Sequence, residues 1–167
     1  MTLNYWIALF TIDTWAAFRS SAVKSARFPE HRLRLAQKIE SGDLLLFYVT
    51  GFSRFVGFGY VDSPAVVSHS QFGASGPKFP VLIGVRDTVE LGPEFGLPIH
   101  DLLPDLSLTK DNNYNGWRFL VRGSPTRWSN ADGSFVVKKI REEQSSPRMR
   151  PLEKYRRPVV KRRNPFS

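Results

Sequence analysis

The sequence predicts an α+β fold: a small, strongly curved mixed sheet or partly open barrel with short helices packed against it. Three observations predict it. Five or six short apolar, β-prone runs are separated by turn residues, and two to four short helical stretches fall among them without regular βαβ alternation. The 167 residues, 41% of them hydrophobic and including 13 Phe and 4 Trp, give one domain a substantial core and are too few for two. No internal repeat is visible.

Taken in order, Asn4–Phe10 (NYWIALF) reads as a central strand. Asp13 or Thr14 is placed to cap a short helix, TWAAFRSS, with Trp15 and Phe18 on one face. Arg32–Ile39 (RLRLAQKI) carries Leu35 and Ile39 at i, i+4 and predicts a second helix. Ser41-Gly42-Asp43 turns into the strand Leu44–Val49, which returns through Phe55–Val61 as a hairpin. The glycines of GFGYVD at 57–62 sit inside that return strand, where they relieve crowding or allow a bend. Val66–Pro77 is Ser/Gly-rich and reads as an exposed loop. Phe79–Val85 and Thr88–Leu91 predict a strand pair or one long bent strand, and Pro98–Leu103 a helical turn opened by proline. Trp117–Val121 alternates large apolar residues and reads as a strand, and Asp132–Glu143 as a closing helix with Val136, Val137 and Ile140 inward.

The net charge of +9 is unevenly placed. Residues 147–167 hold eight Lys/Arg against one acid, Glu153, so +7 sits on the tail and +2 on residues 1–146. The predicted division is therefore a domain at 1–146 and a basic, Pro-containing tail or linker at 147–167. Such an arm suits phosphate or another acidic surface, and equally a solubilising linker. With no Cys, disulfides and thiolate metal sites are excluded. His31, His69 and His100 lack ligand spacing, and no cofactor or metal is expected. The opening MTLNYWIALFTIDTW lacks a basic leader and a small-residue cleavage site, and no apolar run approaches a membrane span, which predicts a cytoplasmic protein.

Paired carboxylates in one motif, nucleophile triads, phosphate-binding glycine loops and metal boxes are all missing, so the expectation is a binding module and not an enzyme. What the chain offers is rings and polar donors at strand ends and loops. These are Phe10, Thr11 and Trp15, then Thr50, Phe52, Ser53 and Phe55 around the hairpin tip, Phe72 in the long loop, and Trp117. An unpaired base needs a ring to stack on and polar groups for its edge, with stacking worth roughly 1–3 kcal/mol per base. Phe10, at the end of an apolar strand, reads first as core and Phe18 first as a pin between helix and sheet, while Trp15 serves equally as pin or pocket ring. Arg54 beside these rings suits a phosphate or base contact.

The segments NYWIALFTIDTWAAF, SARF, ESGDLLLFYVTGFSRFVGFGYV, KFPVLIGVRDTVELGPEFGLPIHDLLPDLSL and GWRFLVRGSPTRW, in this order, resemble the EVE domain family of the PUA-like superfamily, related to YTH domains. The likeness runs from about residue 4 to residue 143 and is strongest to EVE domains of prokaryotic modification-dependent restriction and defence proteins. It implies a curved sheet flanked by helices and a pocket that holds a flipped base among aromatic side chains. YTH relatives read N6-methyladenine in RNA, and EVE domains are associated with modified cytosines in DNA. The resemblance implies a pocket of Phe10, Thr11, Trp15, Tyr48, Thr50, Ser53, Arg54, Phe55 and Phe72, with Trp117 and Arg122 beside it, to which the loop position of Phe52 adds a further ring. Backbone contacts are expected from Arg54, Arg122 and Ser124 and, from the charge of the tail, from Arg148, Arg150, Arg156, Arg157, Lys161, Arg162 and Arg163. The chain departs from the pattern at Phe55 and Phe72, where the family commonly has Trp, which removes two indole N–H donors.

The leading expectation is a non-catalytic reader of C5-modified cytosine (5-methyl or 5-hydroxymethyl) in DNA by base flipping, with cleavage left to a nuclease domain or partner chain. The alternative is an RNA-binding PUA-like or YTH-like module reading a modified or unpaired base. An enzyme acting on nucleotides would require His31, His69 or His100 to converge with Asp13 or Asp62.

Overall fold

A computed structural model describes residues 3–68, 78–107 and 114–153. The strands are β1 (Tyr5–Phe10), β2 (Ser25–Phe28), β3 (Leu44–Val49), β4 (Arg54–Val61), β5 (Val66–Val67), β6 (Val81–Glu90), β7 (Leu97–Pro98) and β8 (Thr126–Trp128). The α-helices are α1 (Ile12–Ser20), α2 (Leu33–Ala36), α3 (Ile99–Leu102) and α4 (Asn130–Ser145), with 3-10 turns between them. The strands form one mixed sheet in the order β2-β6-β4-β3-β1-β8, with β5 on β6 and β7 on β4, curled as a half-barrel. The predicted α+β class and curved sheet are what the chain adopts.

The centre is the parallel pair β1–β3, in register from Tyr5↔Leu44 to Phe10↔Val49. One side chain ties the two strands at their start. Asp43, 3% exposed, accepts from the Trp6 indole at 3.1 Å and from the backbone N–H groups of Asn4 (3.3 Å) and Glu40 (3.0 Å). The NYW and SGD sequence blocks therefore meet through one buried carboxylate, whose several donors offset its desolvation.

β3 and β4 form the predicted hairpin, closed by Thr50–Ser53 with positive φ at Gly51 (84°) and Ser53 (55°). Gly57 faces the Val89 carbonyl so closely that a Cβ there would collide with it, which accounts for the glycine inside this strand. The two runs predicted around residues 79–91 are one bent strand, β6, with Asp87 at φ 50° and a register shift against β4 between Phe58 and Tyr60.

Alternation divides the core in two. Leu44, Leu46 and Tyr48 point to one face of the sheet with Ile7, Phe55, Phe58, α3, α4 and Trp128. Leu45, Phe47 and Val49 point to the other with Trp6, Phe10, α1, α2 and β2. β3 is buried along its whole length because both its faces are covered.

Several expectations differ locally. Trp117–Val121 belongs to a 3-10 helix (Tyr114–Val121), not a strand. Trp117 and Val121, four apart, go into the core, while Phe119, which strand alternation would bury with them, is 70% exposed. The strand beside β1 is instead β8, from the TRW that follows, and SARF forms β2. The second helix shrinks to α2 behind a 3-10 turn at Glu30–Arg32. Helix α1 is capped by Thr11 and not by Asp13 or Thr14. Thr11 Oγ1 accepts from the Thr14 N–H at 3.1 Å, and Thr14 Oγ1 accepts from the Thr11 N–H at 2.8 Å. In the predicted 66–77 loop, Val66 and Val67 pair with β6.

Candidate nucleic-acid interface

The predicted ring cage is divided by the sheet. Phe10 and Trp15 lie on the α1 face, with Phe18 and Phe47 at ring-centroid distances of 5.0–5.5 Å from one another. Trp15 has no exposed surface, and its indole donates to the Leu91 carbonyl at 3.0 Å. Tyr48, Phe55 and Trp117 lie on the opposite face; Phe55 has no exposed surface and packs edge-on to Tyr48 and Trp128. Residues 10 and 48 fall on opposite faces because period-2 alternation in the parallel register pairs Leu9, not Phe10, with Tyr48. These rings build the two cores and do not meet in one cage.

Burial pushes the Tyr48 phenol up to about 12, against the opposing pull of the Ser53 hydroxyl and the Arg118 charge. Ser53 is itself buried in the turn.

Arg54 is committed elsewhere. Its guanidinium is 7% exposed and donates to the carbonyls of Pro93 (3.0 Å), Arg150 (3.1 Å) and Pro151 (2.5 Å). Burial is the main influence lowering its pKa, followed by the Arg150 charge. Arg150 in turn pairs with Glu143 at 2.7 Å and donates to the Gly96 carbonyl at 3.3 Å, while its backbone N–H meets the Glu94 carbonyl. Both arginines, expected on nucleic-acid backbone, instead clamp residues 148–151 to the body across the expected boundary at 146/147. Glu143 is desolvated, which raises its pKa, but bonds from Arg150 and the Arg148 N–H outweigh this and hold it below its ordinary value. Arg148 turns an exposed side chain outward.

The predicted residues that do converge in the open lie at the C-terminal end of β1–β3. Thr50 donates from N and Oγ1 to the Phe10 carbonyl at 2.8 and 3.2 Å. Ser124 Oγ accepts from the Leu9 N–H at 3.0 Å. Thr11 and Thr50 are exposed, and Ser124 and Phe52 half-buried, the Phe52 ring resting on the inner core. Three hydroxyls and one ring thus border the same strand end. Ser124 and Thr11, whose hydroxyls accept backbone bonds, keep their protons to offer a ligand, whereas Thr50, whose proton goes to the Phe10 carbonyl, offers lone pairs.

Two residues outside the predicted set stand out, Arg32 at this rim and Phe119 a short way before Ser124 in the sequence. Arg32 carries its guanidinium against Gly123, where a Cβ would sit 3.1 Å from its terminal nitrogen, so the glycine leaves the arginine room beside Ser124. Phe119 stands exposed with the exposed Arg122 guanidinium 5.6 Å from its ring centre. The signal for Phe119 was present as the i, i+4 pair Trp117/Val121, but the competing alternation 117/119/121 is equally regular. Nothing local marks Arg32. Phe72, Arg156, Arg157, Lys161, Arg162 and Arg163 lie outside the described residues, as does His69. His31 and His100 are exposed, and His100 packs edge-on to Trp117. Among the described residues no cluster of three His, Asp or Glu could hold a metal, and no helix is long and apolar enough to cross a membrane.

Similarity to solved structures is extensive. The Mmi1 YTH domain superposes with a TM-score of 0.60 at 12% identity, covering 85% of this chain and 90% of that one. The fold is YTH-like. A Mmi1 YTH domain in complex with RNA matches at 0.56 and 14% identity, covering 85% of this chain and 80% of that one. A protein from Agrobacterium tumefaciens matches at 0.55 and 15% identity over 89% and 99% of the two chains. A hypothetical protein from Leishmania major matches at 0.56 and 15% identity over 86% and 98%. No protein-family model and no curated protein matches the sequence. At these identities the YTH-like likeness concerns the fold.

Proposed function

We propose that this chain is a non-catalytic nucleic-acid-binding module that recognises a modified base, favouring C5-modified cytosine in DNA. The observation that carries the reading is the rim at the C-terminal end of β1–β3. There Thr11, Thr50 and Ser124 present hydroxyls beside Phe52, and Arg32 brings a cation to the same edge. The YTH-like fold supports it, as does the EVE resemblance of the sequence, which supplies the preference for cytosine and DNA and the association with restriction partners. Phe52 would stack the base, the hydroxyls would bond its edge, and Arg32 and Arg122 would hold adjacent phosphates.

Flipping a base costs a few kcal/mol, and stacking at roughly 1–3 kcal/mol per base offsets much of that. A single methyl in an apolar site adds about 1–3 kcal/mol, so the reader has a preference and not an absolute requirement. The basic tail adds sequence-independent affinity that falls with salt.

A second reading, an RNA base reader, is favoured by one finding: a structurally similar YTH domain is known in complex with RNA. Fluorescence anisotropy with matched duplexes carrying cytosine, 5-methylcytosine, 5-hydroxymethylcytosine or N6-methyladenine, and a matched RNA, at two salt concentrations, tests both. A modified-cytosine duplex that binds tightest and keeps its advantage at higher salt supports the DNA reading. A preference for the RNA supports the second. Equal, salt-sensitive binding to all of them sinks both.

A further inference from the structure

We infer that Phe119 and Arg122 form a stacking platform for an unpaired nucleotide next to the recognised base. The target is then nucleic acid with a single-stranded flank, and not continuous duplex. This rests on the proposed reading of the rim and extends it to the strand that approaches.

The 3-10 helix turns Phe119 out because Trp117 and Val121 occupy the core on its other side. The ring keeps 70% exposure even with the Arg122 guanidinium 5.6 Å from its centre, so one surface remains open to a planar partner. An exposed Phe backed by a cation is poor solvation chemistry but suits base stacking, since every base has a π-face and a phosphate beside it. The local charge agrees: residues 116–131 contain Arg118, Arg122 and Arg127 and no acid. Arg122 and Arg127 are both exposed.

The strip also leads to the rim. From Phe119 the chain runs through Arg122 and Gly123, where Arg32 lies, to Ser124 on the Leu9 N–H. A strand whose modified base sits at the rim would therefore carry its neighbour toward Phe119. A base paired within a duplex stacks on its own neighbours and cannot lend a face to the ring. The platform consequently selects an unpaired flank.

The test uses the full chain and labelled oligonucleotides of one sequence. These are single-stranded DNA, the corresponding RNA and blunt duplex DNA, each with and without 5-methylcytosine. Phe119→Ala should weaken single-strand binding about fivefold or more, while Phe119→Trp retains it. Arg122→Gln should weaken it too and flatten the slope of log affinity against log salt by about 0.7. Blunt-duplex binding should be unmoved by Phe119→Ala, and the melting temperature of each variant should match the parent. The inference is overturned if Phe119→Ala binds single strands as the parent does, or loses duplex and single-strand affinity alike. The ratio of modified to unmodified affinity reads the rim separately. A ratio of one in the parent sinks the modified-base reading and leaves the platform result standing. The DNA and RNA arms identify which strand the platform accepts.

Discussion

Two regions of this molecule are written in the same residues, arginine and aromatic rings, and do opposite things with them. In the interior, Trp15 and Arg54 both donate to the segment after β6, the indole to the Leu91 carbonyl and the guanidinium to the Pro93 carbonyl. At the surface, Phe119 and Arg122 meet each other and solvent. Composition cannot tell these sets apart. What separates them is whether a backbone carbonyl or another ring already occupies the side chain's polar and apolar faces. An interior ring or cation is consumed by the fold, whereas a surface one keeps a face open to solvent.

The largest effect expected from this contrast is on stability. Trp15→Ala removes a fully buried indole, four-way ring packing and the bond to Leu91, and should cost about 3–5 kcal/mol. Phe119→Ala should stay within about 0.5 kcal/mol, as exposed positions do. Urea unfolding of the two variants checks this. Similar midpoints would erase the distinction between the regions.

Next comes Arg54→Met. Removing the guanidinium strips donors from three carbonyls and should cost about 2 kcal/mol. Residues 148–151 should detach, so trypsin should cleave after Arg148 faster than in the parent; the Arg150–Pro151 bond is resistant because proline follows. Affinity for nucleic acid should change little. A large loss of affinity with unchanged trypsin sensitivity would return Arg54 to the phosphate-binding role that its place beside the hairpin rings suggests from sequence.

That misplacement shows how far the sequence could be read. The curved sheet was legible because β1 and β3, and β4 after Arg54, are runs of apolar residues and glycine punctuated by Gly and Asp turns. The rings were legible as a set, but their faces were not. Assigning Phe10 and Tyr48 to one cage requires ignoring the register Leu9↔Tyr48, which exists only once β1 and β3 pair in parallel. Arg54 needed three carbonyls from segments up to 97 residues away, and no local pattern encodes such partners. Phe119 was misjudged for a different reason: WRFLV satisfies strand and helix periods at once, and packing of Trp117 and Val121 decided between them. The exposure of Thr11 and Thr50 was legible because strand ends and turns are where hydroxyls stay accessible.

A smaller effect follows from the clamp's own ion pair. Glu143 has its pKa lowered in the folded chain, so its contribution is present above the unfolded value of 4.5 and is lost as pH falls through the lower folded value. Acidification from neutral pH to well below 4.5 should therefore loosen residues 148–151 before it unfolds the sheet. Amide exchange at Arg150, whose N–H bonds to the Glu94 carbonyl, reports this directly. Glu143→Gln should make that exchange fast at neutral pH and remove its acid dependence. Exchange that is already fast in the parent at pH 7 would mean that the clamp is open and the two regions are less distinct.

The smallest effect marks the inner edge of the comparison. Tyr48 lies next to the proposed rim in sequence, two residues before Thr50, yet its phenol is buried and pushed up to about 12. A raised tyrosine pKa keeps the folded chain neutral while the unfolded chain ionises from about 10. Its contribution is thus intact below pH 10 and declines as pH rises toward 12. In a spectrophotometric titration Tyr48→Phe should leave the absorbance change below pH 11 unaltered and remove a late component. Addition of a bound oligonucleotide should not shift that component, because a base at the rim stacks outside the sheet face that holds Tyr48. A ligand-induced shift would place the bound base against Tyr48, on the α4 side of the sheet, and would move the recognition site from the rim into what is here core.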